Sequence, residues 1–265
     1  MAHSDKEPRP YEVLPGPETA VWRYLSLAKL LALFQANALF FCRADLLADT
    51  FEGTFTEGSL REHAKEYGTE YPDDLVRMAR WVPCRSFVNC WHASDGESAA
   101  LWRIYGASEG AVAIRSTIGA LQKVFPAILE SQENLIVSQD IRCVQYIDYR
   151  TTHPYPNDLA GPLCYKRRAF TFEEEVRLIR QELPTGPSKD RPRGKAILMS
   201  PPPKETGREI SADLDILIGA IYLAPSSPAW MLPMVRETMN RFGLGEKDCR
   251  QSSLDDLPEI GRFGA

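Results

Sequence analysis

The sequence predicts one α+β domain, with a mixed or antiparallel sheet at its core and helices on its flanks. Two observations support this fold class. The chain has 265 residues, of which 44% are hydrophobic, enough to build one large core. Its predicted strands and helices are mixed without strict βαβ alternation, which argues against a doubly wound parallel sheet. We expect a flexible N-terminal arm over residues 1–20 and a single domain over 21–265.

The first elements follow from local signals. Residues 1–20 contain four prolines and no periodic pattern, which favours a loose arm. Residues 21–25 predict a short strand. Ser26 is placed to cap a helix with apolar residues at i, i+3, i+4 and i+7, and Asn37 suits its end. Residues 38–43 predict a second strand.

The later elements are predicted in the same way from apolar spacing and turn residues. In chain order they are a helix in two pieces over 57–81, strand 85–91, helix 97–105, strand 111–115, a helix capped by Ser116 or Thr117 and running to Phe125, strand 141–149, a basic helix near 163–169, a strand opening at Glu173, a loop over 184–208 with a small strand at 196–199, a buried strand over 214–223, and a helix over 230–242.

Composition indicates the compartment. The six cysteines lie far apart with no C-x-x-C pair, which favours reduced thiols in a cytoplasmic protein. The first residues lack the apolar core of a signal peptide, and no apolar run reaches membrane-spanning length, so we expect no membrane association.

Charge is unevenly distributed. The chain carries −5 overall, but residues 166–208 hold eleven Lys and Arg against six Asp and Glu, which is +5 and leaves −10 for the remainder. Such a basic strip suits a phosphate-bearing ligand, whether a dinucleotide or RNA. A solvated loop with lysines for solubility explains it equally well.

Several common catalytic motifs are absent from the sequence. It contains no G-x-G-x-x-G, no P-loop, no H-E-x-x-H and no G-x-S-x-G. The spacing of Cys84, Cys90 and His92 matches no common zinc pattern, so we expect no metal. Rossmann, P-loop and α/β-hydrolase enzymes are therefore disfavoured.

The segment 172–180 is the most informative in the chain. In an extended strand, Glu173, Glu175 and Arg177 would share one face. Two adjacent carboxylates with a guanidinium resist joint burial unless something pairs with them, and such an array suits a site that stabilises positive charge on a sugar. The alternative is a helix start, with Glu173 and Arg177 as an i,i+4 pair on a solvated face.

Six ordered motifs over residues 21–180 resemble an uncharacterised bacterial family, catalogued as a domain of unknown function. They are W-R-Y, D-x-F-E, N-C-W-H…E-S-A-A-L-W-x-x-Y, A-V-A-I-x-S-T, V-Q-Y-x-D-Y and K-R-x-x-F-x-x-E-x-E-x-R. Members of that family usually read D-P-F-E, where this chain has Asp49-Thr50-Phe51-Glu52. The missing proline suggests a different turn.

The opening strand–helix–strand and the late E-x-E also resemble the ADP-ribosyltransferase superfamily. That resemblance implies cleavage of NAD at the nicotinamide–ribose bond and transfer of ADP-ribose to a macromolecule. By order and motif, Arg23 takes the role of the first-strand residue that binds NAD, Ser116 or Tyr105 that of the middle-strand residue, and Glu175 that of the catalytic glutamate. Glu173 would be the forward glutamate of the E-x-E motif.

The resemblance further implies NAD as substrate, contacts to it from Tyr24 and Arg177, and stacking of Tyr105 or Trp91 on nicotinamide. A bacterial toxin or phage-defence effector is the implied role. Its acceptor would be nucleic acid rather than protein by a small margin, and an antitoxin protein would be a further partner.

Structural roles compete with these assignments. Arg23 would serve equally as an exposed strand residue, Tyr105 and Trp91 as core residues, and Ser116 as a helix cap. Glu52 is better explained as a residue that holds a turn. Two other functions also remain open: a nucleotide or nucleic-acid hydrolase that uses the same carboxylates, and a non-catalytic binding or regulatory domain.

Overall fold

The computed structural model describes residues 9–67, 80–105, 110–132, 135–153, 159–184 and 201–256. They form a single mixed α/β fold in which helices pack on a large mixed sheet. All six cysteines are free thiols, as predicted. Within the described part of the chain, no helix has the length and apolarity needed to cross a membrane.

The strands are β1 Ala20–Ser26, β2 Ala38–Arg43, β3 Ser86–Ala93, β4 Ala111–Thr117, β5 Ile128–Gln132, β6 Leu135–Cys143, β7 Gln145–Ile147, β8 Tyr165–Arg167, β9 Glu175–Pro184, β10 Gly207–Ser211, β11 Ala220–Leu223 and β12 Asp248–Gln251. The α-helices are α1 Leu27–Ala36, α2 Glu57–Tyr67, α3 Ala99–Tyr105, α4 Ile118–Val124, α5 Leu214–Leu217 and α6 Met231–Arg241. Short 3₁₀ helices are Pro10–Glu12, Ala44–Leu46, Pro83–Arg85, Gly161–Cys164 and Arg168–Glu173.

Ten strands form the main sheet, in the order β12-β11-β4-β1-β3-β9-β6-β5, with β2 and β10 branching from β3. All of its pairs are antiparallel except β11 with β12. Strands β7 and β8 form a separate parallel pair. This order places β1, β3 and β9 side by side, although they are distant in sequence.

The two faces of the sheet bury different sets of side chains, because neighbours along a strand point to opposite sides. On β1, Val21 and Leu25 belong to the main hydrophobic core, together with Trp91 of β3 and Leu178 of β9. Trp22 and Tyr24 belong to a smaller cluster with Trp102 of α3. One face of the sheet is therefore a mostly apolar core face, and the other, that of Trp22 and Tyr24, has room for polar groups.

The predicted early elements agree closely with the structure. Ser26 caps α1 by accepting a hydrogen bond from the Lys29 amide, and Asn37 ends the helix in the left-handed conformation at φ 48°. Part of the expected loose arm packs on the domain, since Tyr11 is buried with its ring centroid 5.7 Å from that of Tyr165.

Other predicted elements were wrong in detail. The buried strand expected over 214–223 is instead α5 followed by β11, because the Asp213 side chain accepts hydrogen bonds from the next amides and starts a helix. The basic helix near 163–169 is divided between two 3₁₀ helices and β8. Strand 141–149 starts earlier, as β6, and breaks before β7. The small strand expected at 196–199 lies outside the described residues.

Candidate functional site

Strand register gathers a set of polar side chains on one face of the sheet. His92 of β3 lies opposite both Trp22 of β1 and Glu175 of β9, and Cys90 lies opposite Arg177. Paired residues share a face, so these side chains lie on the side of Trp22. A polar cluster therefore sits where β1, β3 and β9 adjoin.

Arg177 is the centre of the cluster and is only 1% exposed. Its Nε and Nη2 donate to the two oxygens of Glu175 at 2.9 and 2.8 Å, and Nη2 also donates to Glu52. Nη1 donates to the Leu163 carbonyl oxygen at 2.6 Å. A buried guanidinium with this many acceptors meets the requirement that buried charge be paired.

Lys166 is the second buried cation of the cluster. Its Nζ lies 3.4 Å from Glu52 and 3.4 Å from Glu175, and it donates to Glu173 in a third contact. We call these five residues, Glu52, Lys166, Glu173, Glu175 and Arg177, the ion cluster. With all three carboxyls ionised, it carries a net charge of −1.

The D-x-F-E motif brings Glu52 to the ion cluster. Asp49 accepts two hydrogen bonds from Arg167, at 2.9 and 3.1 Å, and one from the Phe51 amide at 3.1 Å. Arg167 also lies over the Phe51 ring, 4.7 Å from its centroid. Gly53 closes the turn at φ +72°, where glycine is favoured. Asp49 and Gly53 shape this turn, with Thr50 at the position after Asp49.

The structural role expected for Glu52 is thus only part of its role, since its carboxylate reaches both buried cations. From the sequence, Lys166 falls in the basic strip, and neither it nor His92 has a predicted role in this site. The only sequence signal for Lys166 was its position in the K-R-x-x-F-x-x-E-x-E motif.

The E-x-E segment differs from the expected strand opening. β9 begins at Glu175, while Glu173 is the last residue of a 3₁₀ helix and Glu174 is left-handed at φ 37°. Strand alternation therefore does not place Glu173 beside Glu175, as the sequence suggested. A left-handed turn brings the two together, and Lys166 contacts both.

The two glutamates of E-x-E occupy different electrostatic environments. Burial alone would raise the pKa of the Glu175 carboxyl, but Arg177 and Lys166 outweigh it and lower that pKa to about 2. At Glu173 burial dominates, and its pKa is raised despite the contact with Lys166. Glu175 is therefore fixed as a carboxylate, while Glu173 holds a proton more readily.

Arg23 lies near the ion cluster without joining it. Its half-buried guanidinium donates one hydrogen bond, from Nη1 to the Cys90 carbonyl oxygen at 2.7 Å. Among the residues that the structure describes, no acidic side chain lies within 4.0 Å of its nitrogens. Burial lowers the pKa of Arg23, and the negative charge of Glu175 opposes that shift. Arg23 and Glu175 thus interact electrostatically.

Tyr105 stands at the open side of this region. It is 44% exposed and stacks on Tyr24, with ring centroids 6.4 Å apart and an interplanar angle of 23°. Tyr24 is buried, and its hydroxyl accepts a hydrogen bond from the Ser98 amide at 2.7 Å. Burial raises the pKa of Tyr105, as do Cys90 and both E-x-E glutamates. The exposed ring is therefore within electrostatic reach of the ion cluster.

Two predicted site residues lie elsewhere. Trp91 is fully buried in the main core, on the opposite face of the sheet, and its Nε1 donates to Asn89 at 2.8 Å. Ser116 lies opposite Val21 on that same core face, and its buried Oγ has no hydrogen-bond partner in the part of the chain that the structure describes. We therefore give neither residue a role in binding NAD.

The basic strip is largely neutralised where the structure describes it. Lys166 and Arg177 are buried in the ion cluster, and Arg167 pairs with Asp49. Arg180 and Arg208 share Glu182, at 3.0 and 3.1 Å. Four further basic residues of the strip lie outside the described residues: Lys189, Arg191, Arg193 and Lys195.

Thiol chemistry is disfavoured at this site. Burial raises the pKa of the Cys90 thiol well above its ordinary value, and the Glu175 carboxylate raises it further. A protonated thiol is a poor nucleophile. Among the described residues, no three His, Cys, Asp or Glu side chains are grouped so as to hold a metal ion.

Comparison of the chain with protein-family models, with curated proteins and with solved structures gives no match. Both resemblances noted in the sequence therefore remain predictions. The geometry and charges of the ion cluster, Arg23 and Tyr105 are the basis for assigning a function.

Proposed function

We propose that this chain is an ADP-ribosyltransferase-like enzyme that cleaves the nicotinamide–ribose bond of NAD and transfers ADP-ribose to a macromolecule. One observation carries the proposal. Glu173 and Glu175 share Lys166 but differ in burial and partners, which displaces their pKa values in opposite directions, and they lie near a half-buried arginine with no acidic partner among the described residues. Carboxyl pairs separated in this way are typical of acid–base sites that act on glycosidic bonds.

The fixed negative charge supports a role for Glu175. Breaking the N-glycosidic bond develops positive charge on the ribose, and a carboxylate held in place stabilises that charge more in the transition state than in the ground state. Arg177 holds Glu175 through two parallel hydrogen bonds, so it acts through that carboxylate rather than on NAD. The net charge of −1 on the ion cluster leaves negative charge available.

The raised pKa supports a different role for Glu173. Its side chain is 22% exposed, against 6% for Glu175, so it is the more accessible carboxyl of the pair. A general base works best when its pKa lies closer to the working pH than that of an ordinary carboxyl. In this scheme Glu173 removes a proton from the acceptor.

Arg23 and Tyr105 would bind the dinucleotide. A guanidinium has five N–H donors, and Arg23 donates one of them to a described residue, so its planar fork remains available to a phosphate or ribose oxygen. Tyr105 presents an exposed ring, backed by Tyr24, on which nicotinamide would stack. No metal enters this mechanism.

The experiment measures nicotinamide release from NAD. Glu175→Gln should lower the rate by about 10²–10³-fold, the usual cost of losing one such electrostatic contact. Glu173→Gln should spare hydrolysis and impair transfer. Arg23→Lys should weaken NAD binding in calorimetry, because a point charge replaces the fork. Glu237→Gln, at an exposed pair on α6, is the matched control.

Full activity of Glu175→Gln, or unchanged NAD affinity of Arg23→Lys, would contradict these assignments.

The same assay separates the alternative functions. A nuclease or hydrolase built on these carboxylates would require a divalent cation, and chelation would abolish its activity. The contacts of Lys166 and Arg177 disfavour that alternative, because they already neutralise most of the charge a cation would need. A purely regulatory domain would release no nicotinamide.

The macromolecular acceptor is a further part of the proposal, with nucleic acid slightly favoured over protein because of the basic strip. The roles of toxin or phage-defence effector, and of an antitoxin partner, follow only if transfer to such an acceptor is found.

A further inference from the structure

The turn that joins the two glutamates is unfavourable to form. Glu174 adopts the left-handed conformation at φ 37°, which is unfavourable for a residue other than glycine. Such a conformation persists only where surrounding contacts impose it. The contacts on this turn therefore decide where the carboxylates of Glu173 and Glu175 point.

Main-chain hydrogen bonds account for part of the contacts that fix this turn. The Glu174 amide donates to the Thr171 carbonyl oxygen at 3.2 Å, and the Ala93 amide donates to the Glu174 carbonyl oxygen at 2.8 Å. The Val144 amide donates to the Glu175 carbonyl oxygen at 2.8 Å. These bonds leave the Glu173 carbonyl and the Glu175 amide to be satisfied by side chains.

Two side chains make the remaining hydrogen bonds to the main chain of the turn. His92 Nδ1 lies 2.8 Å from the Glu173 carbonyl oxygen, and the Glu175 amide donates to the Tyr146 hydroxyl at 2.9 Å. Because a carbonyl oxygen only accepts, His92 must carry its proton on Nδ1. The two residues come from different strands, His92 from β3 and Tyr146 from β7.

We propose that His92 and Tyr146 are positioning residues that hold the Glu173–Glu175 turn in the geometry needed for its two carboxylates to act together. Each acts through the main chain of a glutamate. The catalytic part of this inference rests on the proposed function, while the positioning itself does not. Without the His92 bond, the turn relaxes towards ordinary backbone angles and the Glu173 carboxylate leaves Lys166 for solvent.

The test compares His92→Ala with His92→Asn, since the asparagine amide donates from nearly the same place as Nδ1. Carbon-13 NMR of glutamate carboxyls, assigned with Glu173→Gln, follows the titration of Glu173 in each variant. In His92→Ala the pKa of Glu173 should return towards its ordinary value, and His92→Asn should restore it. His153→Asn is the matched control, because His153 Nδ1 bonds the Thr56 hydroxyl away from the turn.

Kinetics provide a second readout. Tyr146→Phe, which frees the Glu175 amide, should lower kcat for nicotinamide release by about 10²-fold, the usual cost of a misplaced group, and leave KM for NAD nearly unchanged. His92→Ala, which frees Glu173, should spare nicotinamide release and impair transfer, as expected of Glu173→Gln. If the wild type releases no nicotinamide but the Glu173 titration responds as expected, the positioning role stands and the proposed function fails. An unchanged titration in folded His92→Ala, or no rescue by asparagine, would overturn the inference.

Discussion

Replacing Arg177 with Met tests whether the ion cluster is held together by this residue. Arg177 is almost fully buried and bonds two carboxylates that are themselves buried. Its removal leaves Glu175 and Glu52 with Lys166 as their remaining cation. Breaking a buried ion pair from one side costs about 3–5 kcal/mol, because the charge left behind stays desolvated. In a chain of this size that corresponds to a fall in Tm of roughly 6–10 °C.

The lowered pKa of Glu175 makes part of this stabilisation depend on pH. One pH unit of pKa displacement is worth about 1.4 kcal/mol, so lowering a carboxyl from its ordinary value to about 2 is worth about 3 kcal/mol. The pKa of Glu175 is lower in the folded protein than in the unfolded chain, so its carboxylate adds to the free energy of unfolding at pH values above the unfolded-state pKa. That stability is lost as the pH falls from about 5 towards about 2. The decrease in the free energy of unfolding caused by Arg177→Met should therefore be largest near pH 7 and smaller in acid.

The assay is urea unfolding followed by circular dichroism at pH 7 and at pH 4. Arg241→Met is the control, since Arg241 makes an exposed i,i+4 pair with Glu237 and should cost under about 0.5 kcal/mol. A penalty below about 1 kcal/mol for Arg177→Met at pH 7, or one that is equal at both pH values, would refute the account of the ion cluster.

Two further predictions concern other parts of the chain. Gly207→Ala should lower the free energy of unfolding by about 1–3 kcal/mol, because the new Cβ would collide with the Phe40 ring and the Phe41 carbonyl oxygen, whereas Gly96→Ala, with nothing within 4 Å, should be nearly neutral in the same unfolding assay. If the acceptor is nucleic acid, filter binding should weaken steeply with salt. Neutralising four basic residues of the strip together should then reduce that salt slope by up to about 0.9 for each phosphate they would otherwise bind, and absence of retention at low salt would exclude a nucleic-acid acceptor. The four are Lys189, Arg191, Arg193 and Lys195.

The sequence by itself was sufficient for elements whose signals are local. Strand β2 was predicted with the bounds it has, and α1 followed from the Ser26 cap, the apolar spacing and Asn37. Caps and periodic spacing act within a few residues, so they are readable without the rest of the fold. The α+β class follows from the same signals taken in order.

Local signals failed where a neighbouring group decided the conformation. The apolar run over 214–223 has the composition of a strand, yet the Asp213 cap starts a helical turn within it. Likewise, the E-x-E segment contains the residues of a strand, but contacts from β3 and β7 impose the left-handed turn at Glu174.

The candidate site was only partly visible in the sequence. The motif E-x-E-x-R predicted that Glu173, Glu175 and Arg177 would share one face of a strand. Glu175 and Arg177 do, whereas Glu173 lies in the preceding 3₁₀ helix and meets Glu175 only through Lys166. The contact between Arg177 and Glu52, which are 125 positions apart, depends on how a distant loop packs against β9. The electrostatic interaction of Arg23 with Glu175 likewise requires β3 to lie between β1 and β9. Strand order is set by burial of the whole core, a long-range effect. Only the tertiary structure could therefore show which charges meet and which arginine has no acidic partner among the described residues.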